Sequence, residues 1–155
     1  MSAPARELTS LYQQIVLDHS RQPRNSRRPA LFDREAEGHN PLCGDKVRVY
    51  VQIRDGKLHD VAFEASGCAI CVASASLMTE ATSARPLPDV RSTIDGFLGA
   101  LTTGRPPLSG DLAALGGVSQ YPSRIRCATL PWKTLQAALD ETSGAGSKPP
   151  VSTES

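Results

Sequence analysis

A chain of 155 residues has the length of one ordinary domain, and its 39% hydrophobic content is enough for a core, which excludes wholesale disorder. Seventeen basic and sixteen acidic residues leave a formal charge of +1, so nothing in the charge balance asks for nucleic acid or an anionic membrane, and no apolar run reaches membrane-spanning length. The opening residues contain no apolar stretch of the kind a secretory signal needs. The expected home is the cytoplasm, where thiols stay reduced, so Cys43, Cys68, Cys71 and Cys127 read as metal ligands or reactive thiols before they read as disulfides.

Residues 6–20 carry Leu8, Leu11, Tyr12, Ile15, Val16 and His19 at helical spacing, and Pro23 closes that helix. Residues 24–40 are polar and broken by Pro29 and Gly38, with room for one weakly patterned strand. Residues 46–54 give the clearest strand: Val47, Val49, Val51 and Ile53 alternate with Lys46, Arg48, Tyr50, Gln52 and Arg54, one face apolar and the other polar. Asp55-Gly56 is a hairpin turn. The return strand, about 57–65, places Val61, Phe63 and Ala65 inward and leaves Leu58 out of phase.

A helix is expected over about 70–83, with Ile70, Ala73, Leu77, Met78 and Ala81 on one stripe, and another over 89–101, with Val90, Ile94, Phe97, Leu98 and Leu101 aligned and Gly104 at its end. Residues 105–123 form a Pro-, Gly- and Ser-rich excursion with one possible helical turn at 111–115. The last helix is expected over 128–141. Pro131 is tolerated only in a first turn, so the helix should begin near Cys127 or Ala128. Residues 1–5 read as a flexible start and 142–155 as a disordered tail. The sum is one α+β domain over 1–141, a small antiparallel sheet of about three strands with helices packed on one face.

Cys43 lies in a turn before the best strand, Cys68 between a strand end and a helix start, and Cys127 at the expected start of the last helix. Helix N-termini favour thiolates. With Asp45 on the Cys43 loop, three thiolates and a carboxylate make a four-coordinate set for a borderline-soft ion such as Zn²⁺, and the oxygen ligand makes the site easier to open. The spacings are too long for a zinc finger, so buried structural cysteines are the competing explanation at this point. Cys68-Ala69-Ile70-Cys71 is formally a CxxC pair, but no βαβ unit surrounds it.

Several segments in order resemble the U-type iron–sulfur cluster assembly proteins, the NifU/IscU-like family. They are Leu11-Tyr12-Gln13-Gln14-Ile15-Val16-Leu17-Asp18-His19 with Pro23-Arg24-Asn25, then Asn40-Pro41-Leu42-Cys43-Gly44-Asp45. Phe63-Glu64-Ala65-Ser66-Gly67-Cys68-Ala69-Ile70 and Arg124-Ile125-Arg126-Cys127-Ala128-Thr129-Leu130-Pro131-Trp132 follow. Arg126 before the last cysteine, where the IscU branch has histidine, and the excursion at 105–123 point to the SufU branch.

That resemblance implies one Zn²⁺ held by Cys43, Asp45, Cys68 and Cys127. It also implies sulfur taken as a persulfide from a pyridoxal-phosphate cysteine desulfurase of the SufS type, with downstream SUF assembly proteins as recipients. In the family a desulfurase histidine replaces one zinc ligand and the thiol matching Cys43 is released to take the sulfur. Cys43 and Cys127 are thus the expected reacting thiols, and Arg124 the cation that would offset their charge or hold a persulfide.

A scaffold binding a [2Fe–2S] cluster or iron with the same ligands is the main alternative, in which case the protein is not an enzyme. A purely structural zinc and a CxxC redox protein are the others. Cys71 stands where the family usually has serine and reads either as a small buried side chain or as an auxiliary thiol. His19, His39 and His59 are not expected to be ligands, although His39 is near enough to the Cys43 loop to offer a hydrogen bond.

Overall fold

The computed structural model describes residues 5–103, 108, 110–140 and 151–152; of the expected flexible start at 1–5 only Ala5 is among them, where it opens a helix, and the expected helix end at Gly104 and most of the expected tail lie outside them. The elements run α1 (Ala5–Arg21), β1 (Arg34–Asn40), β2 (Asp45–Arg54), β3 (Lys57–Ser66), α2 (Ala69–Thr82), α3 (Leu87–Thr103), a 3-10 helix (Gly110–Gln120), α4 (Pro122–Asp140) and β4 (Val151–Ser152). The sheet order is β3-β2-β1-β4. The first three strands are antiparallel, as the hairpin signals require. Val151 and Ser152, in the expected tail, pair parallel to Gly38 and His39 of β1.

The weak pattern of β1 has a physical reason. Glu35 and Glu37 face outward and both reach Arg48 on β2, while the inward side carries Arg34, which donates to the Leu139 carbonyl of α4 at 2.9 Å, and then only the small Ala36, Gly38 and Asn40. Those small groups let α4 pack directly on β1 and β2. The phase of Leu58 resolves in a bulge: Gln52 pairs with Asp60 but Ile53 with Leu58, so His59 is the extra residue and Leu58 turns inward, fully buried. Beyond β3, Asn25 accepts the Phe63 N–H at 3.0 Å and Arg27 donates to the Phe63 carbonyl at 2.9 Å, which lines the outer edge of β3 with a short extended segment.

Four expectations are corrected. Tyr50 lies on the polar phase of β2 yet is buried, because Phe32 packs on it at 4.9 Å and Arg28 sits over its ring at 5.8 Å. Burial and the adjacent Glu64 push its phenol up to about 12. Helix α2 is not a one-stripe helix: Cys71, Ala73, Ser74, Ala75, Ser76, Leu77, Met78 and Thr79 are all buried. It runs between α4 and the sheet on one side and α1 on the other, and its small residues allow that close packing. The single turn expected at 111–115 is a longer 3-10 run packed on α1 and α4, with Leu115 buried.

Finally, α4 begins at Pro122, not at Cys127. Proline is well suited to that first helical position, and Pro131 sits inside the helix. There it withholds one amide donor from the Cys127 carbonyl. The helix is held nonetheless by its neighbours: Trp132 stacks on Phe97 at 4.1 Å, the Trp132 indole donates to Ser74 at 3.0 Å, and Ser74 donates to the Ala128 carbonyl at 2.5 Å. Truncating Trp132 to alanine is therefore expected to cost about 3–5 kcal/mol, measured as a lowered midpoint in denaturant unfolding.

His19 joins α1 to α2. Its Nδ1 lies 2.7 Å from Ser76 Oγ, and Ser76 also accepts the Arg24 N–H at 2.9 Å. Desolvation, aided by the Arg24 charge, holds the ring below its ordinary value of 6.5. The native ring thus binds a proton less readily than the unfolded chain, even with Glu80 3.6 Å from its Nε2, so this group's contribution to stability is greatest above the unfolded value near 6.5 and falls as pH drops below it. Denaturant midpoints taken from pH 7.5 to 5.5 should fall more steeply for the wild type than for His19→Gln; equal slopes would refute the assignment.

Candidate metal centre

The β1–β2 hairpin loop, the β3–α2 junction and α4 converge at one end of the sheet. Asn40 and Asp45 face each other across the β1–β2 hairpin. Pro41 takes the second position of the turn, where its fixed φ is favourable, and the Cys43 N–H closes it on the Asn40 carbonyl at 3.3 Å. Gly44, at φ +72°, returns the chain to β2. This leaves the Cys43 thiol exposed while Asp45, two residues on, is fully buried.

Asp45 is received by the β3–α2 junction. The Cys68 N–H donates to its Oδ1 at 2.8 Å, and Cys68 Sγ lies 3.9 Å from its Oδ2. Gly67 makes this approach possible, since a Cβ there would stand 2.3 Å from Asp45 Oδ1 and 2.9 Å from Asp45 Cα. Cys68 is the N-cap residue of α2 but its thiol makes no cap hydrogen bond, so it remains available to the site.

Cys127 comes from the second turn of α4, not from its first amides, which removes the helix-dipole argument for its ionisation. The residue is fully buried and its thiol donates to the Ser123 carbonyl at 3.5 Å. Burial, reinforced by Asp45, Cys68 and Cys43, pushes the metal-free thiol well above its ordinary value. The ligand atoms of Cys43, Asp45 and Cys127 lie within 4.8 Å of one another, and Cys68 adjoins them through Asp45. Two thiols and a carboxylate at this separation, a third thiol beside them and a glycine-lined cradle fit a divalent thiophilic ion.

The remaining candidates are placed as follows. Arg124 is exposed, one helical turn before Cys127, and borders an open groove of about 750 Å³ whose walls include Tyr12, Val16, Leu17, Ile70 and Tyr121. Arg126 is half-buried. Cys71 is fully buried, and burial raises its thiol well above the ordinary value. That favours the small buried side chain over the auxiliary thiol, and Cys71 should resist iodoacetamide in the native protein while Cys43 reacts. His39 points away from the hairpin's inner side; the neighbour that reaches the site is Asn40, whose Nδ2 lies 3.5 Å from Asp45 Oδ2 and 3.8 Å from Cys127 Sγ. Asn40 and Gly67 were not singled out from the sequence, although strand alternation places Asn40, not His39, on the Asp45 side.

With this geometry in hand, the comparisons fix the class. The chain matches the family model for the NifU-like N terminal domain over residues 11–142, and it belongs to that family. Among its relatives, it is 36% identical over 141 residues, 88% of this chain and 95% of the other, to the "Zinc-dependent sulfurtransferase SufU" of Bacillus subtilis. It is 33% identical over 143 residues, 90% and 89% of the two chains, to the "Iron-sulfur cluster assembly scaffold protein IscU" of Streptococcus pyogenes. The solved structure of a SufU described as a putative iron–sulfur cluster assembly scaffold protein for the SUF system of Fervidobacterium islandicum superposes with a TM-score of 0.77 at 29% identity, covering 84% of this chain and 98% of that one. Among the described residues no helix is long and apolar enough to cross a membrane.

Proposed function

We propose that Cys43, Asp45, Cys68 and Cys127 hold one Zn²⁺, and that the protein accepts persulfide sulfur from a pyridoxal-phosphate cysteine desulfurase of the SufS type and hands it to iron–sulfur cluster assembly. The observation that carries this reading is the asymmetry of the site: one thiol, Cys43, is exposed on a hairpin turn, whereas Asp45 and Cys127 are wholly buried. A structural zinc site is closed, with all four positions held, whereas an exposed ligand on a turn is one that a docking partner can reach and displace. Leu42 beside Cys43 is 63% exposed, an apolar contact for a docking partner at the reacting thiol.

Bound zinc would keep the thiols deprotonated and protect them from oxidation. The chain's own part is nucleophilic. The Cys43 thiolate attacks the terminal sulfur of the donor persulfide, the donor's S–S bond breaks, and its electron pair leaves on the donor thiolate. The transferred sulfur brings its proton, which the departing thiolate takes up, and Arg124, one helical turn before Cys127, is the cation proposed for the Cys43 persulfide anion that remains. In this reading the protein is a sulfurtransferase acting in the cytoplasm.

The test is alanine formation from cysteine by the desulfurase. The zinc-loaded protein should stimulate it strongly and the chelator-stripped protein weakly, while circular dichroism shows the helices retained in both. Absence of stimulation by the zinc form would reject the reading. The Streptococcus pyogenes relative, named a scaffold, keeps a second reading in play, because the same thiolates suit iron. It predicts a stable [2Fe–2S] visible spectrum after anaerobic reconstitution and no desulfurase stimulation.

A further inference from the structure

Asn40 is fully buried at the end of β1, and its side chain makes an unusual set of contacts. Nδ2 reaches Asp45 Oδ2 at 3.5 Å and Cys127 Sγ at 3.8 Å, while Oδ1 is buried with no hydrogen-bond partner. An unpaired buried acceptor is unfavourable. Turning the amide over would be worse with a metal present, because it would aim a carbonyl oxygen at a carboxylate and a thiolate. The side chain is thus arranged for an anionic pair, and its two N–H donors can serve both members. Its main chain meanwhile holds the Cys43 turn through the Asn40 carbonyl.

We infer that Asn40 is a positioning residue of the metal centre: its carboxamide fixes Cys127 and Asp45 as the permanent half of the ligand set, so that ligand exchange falls on Cys43. The inference rests on the reading that these side chains bind a metal, and not on sulfur transfer. Hydrogen bonds to metal ligands orient them and tune their donor strength, and removing such a partner typically lowers metal affinity 10–100-fold.

The experiment uses the full chain loaded with Zn²⁺ or Co²⁺, comparing wild type with Asn40→Ala and Asn40→Asp. Iodoacetamide modification of the zinc form, mapped by mass spectrometry, should label Cys43 well ahead of Cys127 in the wild type. In Asn40→Ala that preference should shrink about tenfold, with zinc affinity down by a similar factor. The sulfur-to-cobalt charge-transfer band should move to lower energy in the alanine variant, since a thiolate that loses a hydrogen bond becomes a stronger donor; a role confined to folding would not move it.

Should both variants fail to fold, the wild type still decides. Its only asparagines are Asn25 and Asn40, so their side-chain amide protons are readily assigned by NMR. On Cd²⁺ loading, an Asn40 amide proton should shift downfield and become protected from exchange, while those of Asn25 stay put. An unmoved Asn40 amide, or a metal-binding variant with wild-type band and labelling order, overturns the inference. A wild-type chain that binds no metal overturns it together with the proposed function, whereas metal binding without desulfurase stimulation removes only the latter.

Discussion

Cys43→Ser is expected to abolish the stimulation of cysteine desulfurase, a fall on the order of 100-fold or more, because a serine hydroxyl is no nucleophile toward sulfur at neutral pH. The fold should not share in the loss. Cys43 is exposed on a turn, and its part in that turn is the main-chain bond from its N–H to Asn40, which serine keeps. Metal-free stability should therefore change by less than about 0.5 kcal/mol, while zinc affinity falls through loss of one thiolate. The measurement pairs alanine production with a denaturant curve on the metal-free protein. A variant that still stimulates fully would move the entry point to another thiol; one that unfolds would make the loss uninformative and contradict the geometry.

Gly67→Ala is expected to damage the site from a position that carries no ligand. Its Cβ would lie 2.9 Å from the Asp45 Cα as well as 2.3 Å from the carboxylate. Rotating a side chain cannot relieve a clash with backbone, so β2 and the β3–α2 junction must separate. That strains the Cys68 N–H bond to Asp45 and withdraws both residues from the metal. Overpacking of this kind costs about 1–3 kcal/mol, the φ of +155° at Gly67 adds backbone strain to it, and zinc affinity should drop at least about tenfold. Gly44→Ala is the control: its φ of +72° is left-handed but its Cβ would meet nothing within 4 Å, so it should cost only about 1–2 kcal/mol of backbone strain. If Gly67→Ala binds zinc like the wild type, the cradle argument fails.

The strands and helices were readable where one period governs one face. Strand β2 announced itself through four alternating β-branched residues, and α3 through its apolar stripe. The failures share a cause, which is that a neighbour decided the outcome. Tyr50 is buried by Phe32 and Arg28 from a distant loop, α2 is covered by α1, α4 and β3 over most of its surface, and α4 accepts Pro131 because Trp132 and Ser74 hold it in place. Proline chemistry alone argued for a start five residues too late. As for the site, loop and helix-end context groups Cys43, Asp45, Cys68 and Cys127, and the motif resemblance makes that set the leading reading; the structure holds the ligand atoms of Cys43, Asp45 and Cys127 within 4.8 Å of one another, with Cys68 Sγ 3.9 Å from Asp45. Spacing could not have done this, since the hairpin that lays Asn40 against Asp45 and the docking of α4 are long-range events.

The site also records the order in which the chain can assemble. Three of its members lie in two successive hairpin-and-junction units that can form early from local contacts. The last, Cys127, stands 87 positions beyond Asn40 and arrives only when α4 docks across β1 and β2. During synthesis the growing chain would offer Cys43, Asp45 and Cys68 well before Cys127 exists, an incomplete set that holds metal weakly. On the proposed zinc reading, tight metal capture would certify finished folding, and a chain stalled short of α4 would display Cys43 without the ion proposed to restrain it.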